Sequence, residues 1–173
     1  MQIGRAEIFT YEREINESNI LGVLQDAYAK HTANAAKIDY LINFEAGVQP
    51  LQRKKKHRPD IDIQSVDNVA HEITNFNLGY IWGNPITIVQ RGEKDSGNAD
   101  ETYAISLLNE CYQAENIKSK TQQLAYFVEI GGVGYTYIDI NADGDFENGD
   151  SYFSVDVLDP RWAFVVRSGR QID

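Results

Sequence analysis

The sequence predicts an α+β fold, with N-terminal helices packed against a small antiparallel sheet that contains a long-turn β-hairpin. Three observations carry this. Apolar residues recur at three- and four-residue steps up to about Val128, the period switches to two after Val133, and no strand–helix–strand units alternate along the chain. The 173 residues fit a single domain. It divides into a strand or arm over 1–15, a mainly helical part over 16–131 and antiparallel strands over 132–167.

Taken in order, Met1 to Ile15 carry only a weak alternation. Asn16 or Ser18 caps a first helix with Ile20, Leu24, Ala27 and Tyr28 on one face. A second helix carries Ile38, Leu41, Ile42 and Glu45 and is stopped by Gly47 and Pro50. Asp67 opens a third, in which Val69, Ala70, Ile73, Phe76 or Asn77, and Tyr80 form an apolar stripe; Val66 is the candidate staple. Asn84-Pro85 forbids continuation, and Ile86 to Val89 reads as a short strand. After a polar loop over 92–100, a helix carries Ala104, Leu107, Leu108, Cys111 and Tyr112. Another runs from about Asn116 to Val128, and Gly131, Gly132 and Gly134 end it. Residues 134–140 and 151–157 then alternate as two strands joined by a polar link, and Trp162 to Val166 reads as a third.

Charge is distributed unevenly. The net charge is −10, from 16 basic and 26 acidic residues. Between Thr121 and Pro160 lie Glu129, Asp139, Asp143, Asp145, Glu147, Asp150, Asp156 and Asp159, with no Lys or Arg. The remainder is close to neutral. It carries one basic run, Arg53, Lys54, Lys55, Lys56, His57 and Arg58, which reads as a solvated loop or as a contact for nucleic acid or an acidic neighbouring subunit. Broad coating of nucleic acid is disfavoured, because phosphate affinity needs clustered positive charge. The one cysteine, Cys111, rules out an internal disulfide or a multi-thiolate metal site and falls in register with core positions. No apolar run approaches the roughly 20 residues of a membrane span, and no charged-then-apolar leader opens the chain, so a soluble protein is expected.

A search for catalytic groups finds none. Gly131-Gly132-Val133-Gly134 lies at a helix-to-strand junction, whereas phosphate loops lead from strand into helix, so it reads as a helix stop. His31, His57 and His71 form no pair at metal-binding spacing, and His71 reads as a satisfied or exposed helix histidine. The link between the two strands carries a sharper pattern. Asp139, Asn141, Asp143, Asp145, Glu147 and Asp150 fall on positions one, three, five, seven, nine and twelve of a calcium loop, with Gly144 at the sharp turn. Two features oppose a calcium site: the flanks read as strands rather than helices, and Asp-Gly between alternating runs is a common hairpin signal. Calcium or a plain acidic hairpin both remain open from the residues.

The order of these features resembles the portal (head–tail connector) proteins of tailed bacteriophages. Ile38-Asp39-Tyr40-Leu41-Ile42-Asn43-Phe44-Glu45-Ala46-Gly47 is similar to the family's aromatic-rich helix ending in Gly. Residues 75–87, with Gly79-Tyr80 and Gly83-Asn84-Pro85, are similar to its helix, Gly-x-Pro and strand. Gly132-Val133-Gly134-Tyr135-Thr136-Tyr137, the acidic hairpin and Val157-Leu158-Asp159-Pro160-Arg161 match its helix–glycine–strand–hairpin–Asp-Pro order.

The resemblance implies a non-enzymatic subunit of a ring, commonly of twelve, at a capsid vertex of the virion, assembled in the host cytoplasm. DNA passes through the channel without sequence-specific binding, and capsid, terminase and tail-connector proteins are the partners. Family members are several hundred residues long, so this chain corresponds to the N-terminal wing alone, as a portion of a longer protein. The rival expectation is a free-standing calcium-binding α+β module.

Overall fold

A computed structural model describes residues 6–50, 65–89, 99–144 and 149–168. Four helices and two small sheets make up an α+β fold: β1 (Phe9–Thr10), α1 (Ile20–Glu45), α2 (Val69–Trp82), α3 (Ala99–Ala114), α4 (Ile117–Gly131), β2 (Tyr135–Ile140), β3 (Phe153–Leu158) and β4 (Arg167–Ser168).

Helix α1 is one continuous element where the sequence predicts two. Neither Gly nor Pro occurs between Val23 and Ala46, so nothing in the backbone interrupts it. Before it, the Asn16 side chain accepts from the amides of Ser18 (3.0 Å) and Asn19 (3.2 Å), which turns the chain into the helix. After it, Gly47 N–H donates to the Phe44 carbonyl (3.1 Å) and Val48 N–H to that of Asn43 (2.8 Å), a Schellman-type closure at the expected glycine. The buried stripe of α1 is Ala27, His31, Asn34, Ile38 and Glu45, polar at three of five positions.

Helix α2 starts at the Asn68 cap, whose side chain accepts from His71 N–H (3.4 Å). Beyond it, residues 86–89 form no strand, contrary to expectation. Ile88 instead has its N–H and C=O held by the Asn109 side-chain amide, at 3.3 and 3.0 Å. A side-chain amide thus stands where a neighbouring strand would be, and no ladder forms. Helix α4 ends at Gly132, left-handed at φ 69°, which bears out the glycine run as a helix stop. Gly134 lets the chain cross back over α4: a Cβ there would lie 2.5 Å from Leu124 Cδ1.

Strands β2 and β3 pair antiparallel from Tyr135↔Leu158 to Ile140↔Phe153. The expected third strand at Trp162 to Val166 is absent. The amides of Trp162 and Ala163 both bond the Asp159 carbonyl at 3.0 Å, forming a turn that swings the chain toward α1. There Phe164 stacks on His31, with ring centroids 4.5 Å apart. The chain pairs only at β4, parallel to β1, with Phe9↔Arg167. Of the stretch read as a strand or arm, Phe9 and Thr10 form a short docked strand. Asn34, 1% exposed, accepts from Ala6 N–H (2.9 Å) and donates to its carbonyl (2.8 Å).

The apolar core among the described residues is small: Ile8, Ala27, Ile38, Cys111, Ala125 and Val155. Cys111 is buried and unpaired, as its register implies. No helix among the described residues is long and apolar enough to cross a membrane.

Candidate functional site

Three polar nodes position the working surfaces. The first lies where α1, α2 and α4 meet. The Glu45 carboxyl, with 7% of its side chain exposed, accepts from the Tyr126 hydroxyl (2.8 Å) and bonds His71 Nδ1 (2.6 Å). Asn75 Nδ2 lies 2.8 Å from His71 Nε2. His71 faces the Glu45 carboxyl through Nδ1 and the Asn75 side-chain amide through Nε2. His71 is thus a satisfied helix histidine. Burial first, and then the neighbouring Glu45, push the Tyr126 hydroxyl up to about 12.

The second node is the Asp159-Pro160-Arg161 turn. Arg161 grips Asp159 with two prongs, Nε at 3.0 Å and a terminal nitrogen at 2.7 Å, and reaches Asp39 on α1 at 2.9 Å. This guanidinium holds the Asp159 carboxyl below the usual carboxylate range. The Arg161 carbonyl bonds His31 Nε2 at 2.9 Å, and Pro160 is fully buried. In the third node, Glu115 is paired with Lys120 (2.7 Å) and accepts from Val155 N–H (3.1 Å), which ties the α3–α4 turn to β3. Lys120 chiefly lowers the Glu115 carboxyl.

Above these nodes the fold presents two open surfaces. Helix α2 turns its largest apolar residues outward, while Ala70 and Leu78 are half-buried on the inner side. Its inner side is held by Thr74, which is buried, by Asn77 donating to Glu129 (2.6 Å), and by the Trp82 carbonyl accepting from Gln122 (3.2 Å). Its outer side carries Val69, Ile73, Phe76, Tyr80 and Ile81, all exposed; Tyr80 is 81% exposed and stacks on Phe76 at 6.0 Å. The stripe itself is legible in the sequence as a face to bury. Its outward direction is not, since Thr74 and Asn77 resemble solvent-facing residues until their partners are known. The first half of α1 repeats the pattern, with Leu21, Leu24 and Tyr28 exposed.

The second surface is the β2–β3 hairpin. Of the calcium-pattern residues, Asp139 is the penultimate residue of β2, Asn141 and Asp143 follow the strand and Asp150 precedes β3, whereas Asp145 and Glu147 lie outside the described residues. Asp139 Oδ1 accepts from Ile140 N–H (2.9 Å), and Asn141 Nδ2 donates to the Ser151 carbonyl (3.2 Å), so both are engaged in shaping the hairpin. Among the described residues, no three His, Cys, Asp or Glu side chains gather as a metal site. The basic run Arg53, Lys54, Lys55, Lys56 and Arg58 lies outside the described residues.

A cleft of about 190 Å³ lies between the N-terminal segment, α1 and the Pro160 turn, lined by Ile8, Asn34, Ile38, Tyr135 and Phe164 among others. Larger clefts lie beside Trp82, Asn109 and Lys118 (about 340 Å³) and beside Phe9, Gly22 and Lys30 (about 390 Å³), within the size range of small-molecule sites. No family model matches the chain, nor does any curated protein or solved structure.

Proposed function

We propose that this chain is the wing region of a phage portal, a non-enzymatic structural subunit of a ring through which DNA is packaged and ejected. The observation that carries the reading is the exposed apolar face of α2, where Phe76, Tyr80 and Ile81 face outward. Phe76 and Tyr80 alone expose on the order of 300 Å². That is already the size of the largest apolar patch on a typical monomer, as a surface completed by neighbouring subunits requires. The ordered series of motifs from α1 to the Asp-Pro-Arg turn supports the same assignment. Acidic hairpins suit a channel that must let DNA slide, because they repel phosphate.

The partners are further portal subunits, capsid, terminase and tail-connector proteins, in the virion and, during assembly, in the host cytoplasm. The gene is expected beside terminase and capsid genes, and its full-length product is expected to form rings by electron microscopy. Neighbouring genes of neither kind, together with a product that never forms rings, would overturn the assignment. The rival reading, a calcium-binding module, rests on the spacing of Asp139, Asn141, Asp143, Asp145, Glu147 and Asp150. A melting shift on adding millimolar calcium to chelator-treated protein would favour it.

A further inference from the structure

The two edges of the β2–β3 hairpin are finished differently. The Asn141 N–H to Tyr152 carbonyl bond (3.0 Å) sets the phase of the ladder. Residues 135, 137 and 139 therefore exchange bonds with β3, and the backbone groups of Thr136, Ile138 and Ile140 point away from it. On β3, the outward Phe153 groups are met by the Ser151 hydroxyl and the Val155 N–H by Glu115 (3.1 Å), which leaves Val157 as the outward residue with no partner among the described residues, on the strand that packs against α4. On β2, the Ile140 N–H is covered by Asp139 and its carbonyl by Ala142 N–H (3.1 Å). The N–H and C=O groups of Thr136 and Ile138 pair with nothing among the described residues.

Nor does this edge carry the devices that discourage pairing. It has no Lys, Arg or Pro, its register runs without a bulge, and Tyr137, Ile138 and Ile140 are 54%, 64% and 80% exposed. Strand β3 is the one packed on α4, so the open edge of β2 is the outer one.

The charge around the edge selects its occupant. The hairpin belongs to the stretch from Thr121 to Pro160, which has eight carboxylates and no basic residue, so a second acidic hairpin is repelled and a basic segment is attracted. The chain itself contains one such segment, Arg53 to Arg58. It leaves from and returns to the α1–α2 seam, where Gln49 donates to Asn68 (3.1 Å) and Asn68 to the Glu45 carbonyl (2.6 Å).

We propose that the outer edge of β2 receives the basic segment around Arg53 to Arg58 of a second copy, as an added strand. Backbone bonds to Thr136 and Ile138 supply the pairing, and the acidic turn supplies the selectivity. Such a contact is head-to-tail, with a different surface on each copy. It stands on the hairpin and the charge pattern alone, independently of the portal reading.

Sedimentation velocity over a concentration series tests it. Ile138→Pro removes an outward N–H without touching the β2–β3 ladder, and Lys54→Glu/Lys55→Glu/Lys56→Glu removes the basic segment. Each variant is expected to associate at least tenfold more weakly than the native chain, and raising salt to 0.5 M is expected to weaken native association. An equimolar mixture of the two variants is expected to restore a 1:1 pair, because one retains the segment and the other the edge. Ile138→Lys, expected to weaken association to the same degree, replaces the proline variant if circular dichroism shows that variant unfolded. A native chain that stays monomeric, an unchanged edge variant, an unchanged triple-Glu variant, or a mixture without a pair would each overturn the proposal. An unchanged triple-Glu variant beside a weakened edge variant would indicate self-pairing of β2. None of these outcomes bears on whether the full-length product forms rings.

Discussion

The two halves of α1 are one helix in two situations. From His31 to Glu45 it is fastened by side chains to segments distant in the chain: Asn34 to Ala6, His31 to Arg161, Asp39 to Arg161, and Glu45 to Tyr126 and His71. From Ile20 to Lys30 only Ala27 is buried, while Leu21, Leu24 and Tyr28 face solvent. Large apolar residues are shared evenly, five in each half, so apolar content does not decide which half packs. The second half of α1 is held by polar contacts built on buried His31, Asn34 and Glu45, and much apolar surface of the fold stays exposed.

The sharpest way to break this contrast is at Glu45. Glu45→Ala removes a buried carboxyl that serves a half-buried hydroxyl and an imidazole at once, and a loss of about 3 kcal/mol is expected in urea unfolding. A loss below about 1 kcal/mol would show that the node does not close the three helices. Asn34→Ala comes next. It removes two hydrogen bonds to Ala6, with an expected cost of about 2 kcal/mol and faster amide exchange confined to residues 6–10 and β4.

The pH dependence follows from the same nodes. Tyr126 titrates near pH 10 when unfolded and at about 12 when folded, so the unfolded state ionises first and stability falls as pH rises between those values. Tyr126→Phe is expected to flatten that slope. On the acid side, Asp159 and Glu115 are lowered in the fold, so their contribution is present at neutral pH and lost as pH drops below roughly 4. The smallest effect is expected on the open half. Leu24→Lys should change stability by no more than about 0.5 kcal/mol, because the side chain is already 47% exposed. A larger loss would mean that this half is packed after all.

Much of the architecture was legible in the chain. Gly47 and Gly132 end helices where glycine allows the closing turn, and the change to a two-residue period after Val133 marks the hairpin. The apolar stripe of α2 was legible too, but not the direction it faces. Division of α1 into two helices followed from a gap in its apolar spacing, where the structure has His31 and Asn34 buried instead. The strand expected at Ile86 to Val89 failed because the partner of Ile88 is a side chain, Asn109, and not a strand. At the hairpin, the acidic spacing was visible, but not which edge remains open, since that depends on Glu115 reaching Val155.

The sequence by itself determined where helices stop, where the hairpin forms and where its acid is concentrated. These depend on local backbone freedom, on periodicity and on composition. Only the tertiary structure decided which polar residues are buried, which way α2 turns and which strand edge is left unpaired. A polar side chain is buried at little cost only when a matching group meets it, and here those groups come from 28 residues away for Asn34 and 130 for His31.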